Sequence, residues 1–568
     1  MGGEPEPWWD RLIALPLSDG ERGKAFVHIM SNDNMKALLA NENATSETCV
    51  SAVRELLRLA AAAAQPSASP QVDASPDICW ALVGPELAAP PLLPELHQFM
   101  TTPPVAKIPT TRSAMQLIRN HPIAAHFTVA DGRLAEIVGH SICLTHTVGS
   151  PSEVDTVILE HTTVVQVIQT LDNALASGHR IGLQVERDKG DDTSLMTLVS
   201  PSGRSLRPDG VMRTLDGLRM LAKWEDKGPN HAIHDAVADL QAKTAAWTPL
   251  YYGNAQYLPC FAAAGSILQF YAIPRDLAHQ PVPITPCVSM MNPEHRAELA
   301  MYCVKFYQLL KAQKEAYPAH VLPAAKDLVA VTGAAPEQVT RTLHFRTDRV
   351  VVQKRIQPWS LYARWTGTEV GELAAVYQAT ASAQGLVHAV AGPQVDDDKY
   401  TVVLQPVGLP HTAATPRDEE GLRRAAHALL HALAAIHAAG FVHRDLRWPN
   451  VAAAYDKTRW FLLDLEMCVR VDRACQPARR PPSWTTGTLV GNSYVAASDL
   501  YQLGRMLQDH RQHVSSAEGL QFMSLLASPA QELHDRAVTA QSLLAHAWLQ
   551  CPGVHCAEVG AQPGETGG

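Results

Sequence analysis

No run of about eighteen consecutive apolar residues occurs in this sequence, so no transmembrane helix is expected from it. The start, Met-Gly-Gly-Glu-Pro-Glu-Pro-Trp-Trp-Asp, has neither a basic segment nor an apolar one, and no secretory leader is read there. The ten cysteines lack paired Cys-x-x-Cys spacing, which argues against a zinc framework or a disulfide scaffold and for free thiols in a reducing compartment. Positive charge is not in excess either. A formal net charge of -9 excludes a strongly basic nucleic-acid coat, although local basic patches, and with them a nuclease, stay open. The expectation is an intracellular protein, cytoplasmic or nuclear. Its 568 residues exceed a single core, and roughly three or four structural units are expected.

Composition shifts place the boundaries. Residues 1–110 read as a helical segment (48–64) joined by Pro/Ser/Ala-rich linkers, including 65–77 and the proline-rich 90–109. Residues 111–275 mix the two periodicities, with a helix over Thr162–Ala176 and strands over Arg180–Glu186, Ser194–Ser200 and Arg219–Trp224. Residues 276–324 read as a linker carrying a helix over Pro293–Glu315, 325–550 as a second α+β domain, and 551–568 as a disordered Gly-rich tail.

The densest chemistry lies in that C-terminal domain, in Phe441-Val-His-Arg-Asp-Leu-Arg-Trp-Pro-Asn450 followed by Leu462-Leu-Asp-Leu-Glu466. Moving a phosphoryl group from ATP to a hydroxyl requires a carboxylate to orient the hydroxyl and receive its proton, and oxygen ligands to hold magnesium on the phosphates. Asp445 fits the first need; Asn450, five residues on, and Asp464, nineteen residues on, fit the second. This spacing is that of a protein-kinase catalytic loop. Arg447, two residues after Asp445, resembles the basic residue that Ser/Thr-type kinases use beside the transferred phosphate. Upstream, Lys354 lies on a strand pattern and suits the α and β phosphates as a point charge. Its carboxylate partner is sought on the next predicted helix, where Glu369 and Glu372 are the choices and Glu372 the better one. Leu404 ends a short apolar run that breaks at Pro406 and Gly408, so Leu404 and Val407 mark the hinge where adenine would bond the backbone. Gly421–Ala438 reads as a long helix before the loop. His443 is read as a packing residue, and Arg444 as a partner for a phosphorylated activation segment.

These residues resemble the protein-kinase superfamily over about 325–550, and Ser498-Asp-Leu-Tyr-Gln-Leu-Gly504 looks like the helix whose buried aspartate, here Asp499, bonds the catalytic-loop backbone. The resemblance implies a bilobal fold, ATP and Mg2+ as cofactors, and a protein hydroxyl as acceptor. Three departures stand beside it: no Gly-x-Gly-x-x-Gly precedes Lys354, so the phosphate cradle is missing or replaced by something around Gly333; the glycine after the metal aspartate is replaced, giving Asp464-Leu465-Glu466; and no Ala-Pro-Glu closes the following segment.

A second constellation sits in the middle domain. Arg207-Pro-Asp209 is followed sixteen residues later by Glu225-Asp-Lys227. Two carboxylates on adjacent strands can share divalent cations, and a lysine two residues along the strand leaves from the same face as Glu225. The pattern resembles the PD-(D/E)xK restriction-endonuclease-like superfamily, which implies metal at Asp209 and Glu225, catalysis by Asp209, Glu225 and Lys227, and DNA or RNA as substrate. Lys243, on a helix over Ala236–Trp247, would point toward the site; Glu160 and Glu186 are candidates for a further acid.

Together the motifs look like the kinase domain of Crinkler-type effectors preceded by a nuclease-like domain, a resemblance over about 150–550. The Leu-Phe-Leu-Ala-Lys leader of secreted members is absent from residues 1–80, so secretion is not expected. The fold class expected is therefore multidomain α+β: an N-terminal mainly helical segment, a middle α/β restriction-endonuclease-like domain and a C-terminal protein-kinase-like domain. The leading expectation is a Ser/Thr-type protein kinase. The alternative is a metal-dependent nuclease gated by a nucleotide-binding pseudokinase domain.

Overall fold

The computed structural model describes residues 49–50, 53, 75–84, 87–144, 153–187, 209–276, 280–318, 321–324, 326–334, 337–346, 348–471, 480–481 and 483–550. The chain divides into the units 1–73 and 74–568, and all that follows concerns the second. The helix expected over 48–64 (save residues 49, 50 and 53), most of the linker 65–77, the strand at Ser194–Ser200, Arg207, Pro208 and the tail lie outside the described residues.

The middle segment mixes helices with a largely antiparallel sheet. Strands Leu183–Arg187, Gly210–Thr214 and Met220–Lys227 form an antiparallel meander. The helix Ile233–Ala242 then carries the chain across to Tyr257–Ala264, which runs parallel to Met220–Lys227, and Ile267–Pro274 returns antiparallel. A parallel neighbour demands such a crossover. Tyr257–Ala264 is buried along its whole length because both sheet faces are covered. Trp224, Phe261 and Phe270 pack beneath the helical stretch Glu153–Ala174 and the helix Pro293–Ala316; Leu258, Cys260 and Ala262 face Ala236 and Leu240. Gly210 is obligatory, since a Cβ there would lie 1.9 Å from the Trp224 indole. That close approach sets Asp209 beside the end of the Met220–Lys227 strand.

The helix Pro293–Ala316, expected over Pro293–Glu315 in the linker-and-helix segment 276–324, packs into the core of the middle segment. It buries Leu299, Cys303, Phe306 and Leu310 in the same core as Phe261 and Phe270, and each of the leucines and the phenylalanine is worth about 1.5–3 kcal/mol if fully removed from water. The helices Ser75–Val83 and Leu96–Thr101 join that core through Leu82, Leu96 and Met100. Packing, not proline content, decides where this unit begins.

The C-terminal half opens with a five-stranded antiparallel sheet. Its spatial order is Asp327–Ala334, Glu337–Phe345, Val352–Gln357, Lys399–Gln405, His388–Asp396. Between the third and fourth of these strands in space lie the helices Trp359–Thr366 and Val370–Ala379 along the chain. A helical half follows. Its long helix Glu419–Ala438 is N-capped by the Asp418 carboxylate, which accepts the Gly421 N–H at 2.7 Å. Leu422, Ala425, Leu429, Leu433 and Ile436 recur at helical spacing and are fully buried. Leu409 and Ala453 exchange backbone hydrogen bonds just past the sheet, tying the connecting segment to the strand Val451–Ala453.

Candidate functional site

The loop after the long helix is held from below by the helix Ala496–Gln508. Asp499, fully buried, accepts the backbone N–H groups of His443 (2.8 Å) and Arg444 (3.0 Å) and the Tyr494 hydroxyl (2.6 Å), and lies 3.0 Å from His437 Nε2. Burial alone would raise its carboxyl, but His437 first, then His443 and the Tyr494 hydroxyl, hold it below the usual aspartate range. Gln502 accepts the Leu446 N–H, and the Trp448 indole donates to the Met506 carbonyl. The loop is thereby fixed at four residues, His443, Arg444, Leu446 and Trp448.

Asp445 projects from that loop. Its Oδ2 accepts from Arg447 Nε at 3.1 Å and Asn450 Nδ2 at 2.9 Å, and its Oδ1 accepts from Ser483 Oγ at 3.3 Å. The Asn450 amide nitrogen also donates to the Asp445 carbonyl at 2.7 Å, so the amide oxygen is the end left for a cation. The Asn450 carbonyl in turn accepts the Leu463 N–H at 2.8 Å, which sets the two candidate magnesium ligands, Asn450 and Asp464, on adjoining backbone. Asp464 itself adopts a left-handed conformation, φ 64°.

Above it stands the sheet. Lys354, on the strand Val352–Gln357, pairs with both Asp464 and Glu466. Arg341, from the neighbouring strand, reaches Asp464 Oδ2 at 3.4 Å. Burial would raise the Asp464 carboxyl, but Lys354 and Arg341 hold it well below the ordinary range. Burial would likewise lower Lys354, yet the charges of Asp464 and Glu466 raise it. Glu466 is fully buried and also accepts hydrogen bonds from the Tyr377 (3.0 Å) and Tyr400 (3.1 Å) hydroxyls. The sequence reading sought the carboxylate for Lys354 on the following helix, in whose first turn Glu372 lies. The structure supplies it from Glu466, two residues beyond Asp464. Leu404 and Val407 are buried at the end of the strand Lys399–Gln405 and just beyond it.

Arg444 does not take the role expected of it. Its side chain is fully buried, with Nε donating to the Met467 carbonyl and Nη2 to that of Thr366, both at 2.7 Å. It braces the interior and is out of reach of a surface phosphate. His443 is buried as expected, its Nε2 2.9 Å from the Leu463 carbonyl oxygen.

In the middle segment, Asp209 and Glu225 are brought together by Lys243, which lies 2.5 Å from Glu225 and 3.7 Å from Asp209. Lys227 leaves the strand on the Glu225 face, but its Nζ is held 2.6 Å from Asp239 on the crossover helix. The lysine next to the carboxylate pair is thus Lys243. Of the further acids, Glu160 joins Asp226 through Arg187, whereas Glu186 faces Arg213 and Lys326 elsewhere. Burial, then the neighbouring acids, push Glu160 and Glu225 well above the carboxylate range, overriding Arg187 and Lys243 respectively. Burial likewise pushes Asp226 up to about 6. Among the described residues no group of three or more His, Cys, Asp or Glu side chains is arranged to hold a metal ion.

A lysine on the third strand of a five-stranded sheet, ion-paired to a carboxylate that adjoins an aspartate- and asparagine-bearing loop, is a kinase-like arrangement. No family model matches the sequence. The chain is 25% identical over 353 residues to Crinkler effector protein 8 of Phytophthora infestans, an alignment covering 60% of this chain and 53% of that protein. It spans about half the length of that curated relative. The Crinkler-type resemblance read from the motifs is thus met by a curated relative, which says nothing about a restriction-endonuclease-like segment. Among solved structures, the Cydia pomonella granulovirus kinase PK-1 is matched with a TM-score of 0.31 and 13% identity, over 39% of this chain and 94% of that one. No helix among the described residues is long and apolar enough to cross a membrane.

Proposed function

We propose that residues 325–550 form a Ser/Thr-type protein kinase that transfers the ATP γ-phosphate to a protein hydroxyl. The observation that carries this is the clustering of Lys354, Asp464, Asn450 and Asp445 around one loop that Asp499 pins. Asp445 receives the acceptor proton, Arg447 steadies the transferred group, and Lys354 holds the α and β phosphates. Leu404 and Val407 flank the adenine. Glu466 takes the partner role first sought at Glu372. Asp464 and Asn450 suit magnesium: the carboxylate is kept ionised by two cations, and the amide presents its oxygen. Magnesium there would neutralise charge on the phosphates. Similarity to an effector protein supports a protein acting on components of another cell.

The test is incubation of the wild type and Asp464→Asn with magnesium and ATP, followed by intact-mass spectrometry. Added phosphate on the wild type alone is the expected result; equal labelling of both proteins would remove Asp464 from the reaction, and labelling of neither would leave a nucleotide sensor.

One observation favours a second reading, a metal-dependent nuclease in the middle segment. Glu160 Oε1, Glu225 Oε1 and Asp226 Oδ1 are buried without hydrogen-bond partners. Buried carboxylates with raised proton affinity are restored to the charged form by a cation. The helix, three-strand meander, crossover helix and parallel strand are the order such a domain would use. Magnesium-dependent nicking of plasmid that persists in Asp445→Ala and is lost, by about a hundredfold or more, in Asp209→Ala is the expected signature; nicking that ignores Asp209 would end this reading.

A further inference from the structure

The kinase reading leaves one requirement unmet. The triphosphate needs more than Lys354 to hold it, and no glycine-rich cradle precedes that lysine. The hairpin that would carry the cradle is paired as far as Ala334 and Glu337, and the sequence there, Gly333-Ala-Ala-Pro-Glu337, has a single glycine and a proline with no N–H to offer. Gly333 has a different duty. Its φ is 98°, and a Cβ there would lie 2.2 Å from the Glu337 carbonyl oxygen and 2.9 Å from the Trp365 ring. The glycine lets the hairpin close tightly; it does not open a path to phosphate.

We propose that Arg341 is a phosphate-binding residue of this site, supplying with Lys354 the positive hydrogen-bond donors that backbone amides would otherwise provide for the nucleotide's β and γ phosphates. This rests on the kinase reading and deepens it. The strand register carries the geometry. Leu343 is the Cα partner of Lys354 and Arg341 the partner of Ile356. Residues two apart on a strand share a face, and cross-strand partners share it too. Arg341 and Lys354 therefore leave the sheet on the same side, and both end on Asp464.

The side chain is preorganised but not used up. Its guanidinium carbon sits 5.0 Å from the centre of the Tyr362 ring, and Nη2 donates to the Tyr362 hydroxyl at 3.2 Å. The contact to Asp464 is long for a charge-assisted bond, and Nε is buried with no partner. The side chain keeps 27% of its surface exposed, against 8% for Lys354. An anion approaching Asp464 thus meets a partly exposed planar cation held only by long contacts. When a metal takes the Asp464 carboxylate, both cations lose part of their counter-charge, and a triphosphate restores it. A guanidinium fork matches two phosphate oxygens at once, which an ammonium does not.

The experiment measures binding of magnesium AMP-PNP and of adenosine to the full chain by calorimetry, for the wild type, Arg341→Met and Arg341→Lys. In the wild type AMP-PNP binds more tightly than adenosine. Arg341→Met is expected to lose about ten- to a hundredfold in AMP-PNP affinity, with adenosine unchanged, because only the phosphates meet the guanidinium. Arg341→Lys keeps the charge without the fork and falls between the two. A purely structural role would weaken both ligands together and so overturn the proposal, as would AMP-PNP binding in Arg341→Met equal to that of the wild type. Should the methionine variant not fold, Arg341→Lys decides: undiminished AMP-PNP affinity overturns the proposal. A wild type that binds neither ligand, or both equally, sinks the kinase reading itself and the proposal with it.

Discussion

Asp445→Asn is expected to transfer phosphate at roughly 10²- to 10⁴-fold below the wild-type rate while binding nucleotide as tightly, which is the signature of a lost general base. The substitution is nearly isosteric, and the surroundings tolerate it. An asparagine oxygen can still accept from Arg447 and Asn450, the two donors on Oδ2, while the new amide nitrogen faces the Ser483 hydroxyl, which can accept. The loop is anchored by Asp499 rather than by Asp445. What disappears is the anionic lone pair that receives the acceptor proton. Phosphate incorporation measured alongside calorimetric nucleotide affinity separates the two effects. A variant within tenfold of the wild-type rate would show that Asp445 is not the base.

The residues whose spacing chemistry dictates were legible before any coordinates. Asp445, Asn450, Asp464 and Asp499 lie on short, locally stiff segments, and the structure draws them together through bonds that span few elements. The partner of Lys354 was not legible in the same way. A helix glutamate was sought, but Glu466 reaches the lysine because it sits only two residues past Asp464, and Tyr377 and Tyr400 supply the donors that make its burial tolerable. The available signal was an acid where glycine is usual, read as a defect rather than as a relocated partner. Arg341 was missed because a lone arginine on an unrecognised strand carries no motif; only the register with Lys354 gives it meaning.

Element type followed the same logic. The helix Glu419–Ala438 and the strand Met220–Lys227 declare themselves locally, whereas the helix Ile233–Ala242 is expected, over Ala236–Trp247, only from the nuclease-like resemblance. The hairpin Asp327–Ala334 and Glu337–Phe345 does not declare itself, since the first strand turns apolar residues, Val329 and Val331 among them, to solvent and the second is mostly polar, so neither shows a buried alternating face. The helix Pro293–Ala316 is legible as a helix, but its place in the core of the middle segment is not. Its polar residues, including Arg296, Lys305, Lys311 and Gln313, are buried too. Arg296 satisfies the Ile142, Met290 and Met291 carbonyls from within the core, a long-range role that no local pattern announces.

Asp499→Ala should cost about 3–5 kcal/mol of stability, because it strands buried donors and removes a buried negative charge near the fully buried Arg444. The His443 and Arg444 amides and the Tyr494 hydroxyl would lose their shared acceptor in a place water does not reach. Against a net stability of about 5–15 kcal/mol this is enough to loosen the whole loop from Phe441 to Asn450. Asp499→Asn keeps one acceptor oxygen and should fall between. Denaturant midpoints measure the loss, and hydrogen exchange at residues 441–450 locates it; an alanine variant within about 1 kcal/mol of the wild type would show that the loop stands without this anchor. The acid limb gives an independent check. Asp499 has its folded-state proton affinity depressed, so its stabilisation is complete above the ordinary aspartate range and is lost as pH falls through the folded value. The wild type should therefore lose stability more steeply than Asp499→Asn on acidification. Parallel curves would mean that the carboxylate acts only through its shape, and that the charge beneath the loop contributes nothing to holding Asp445 in place.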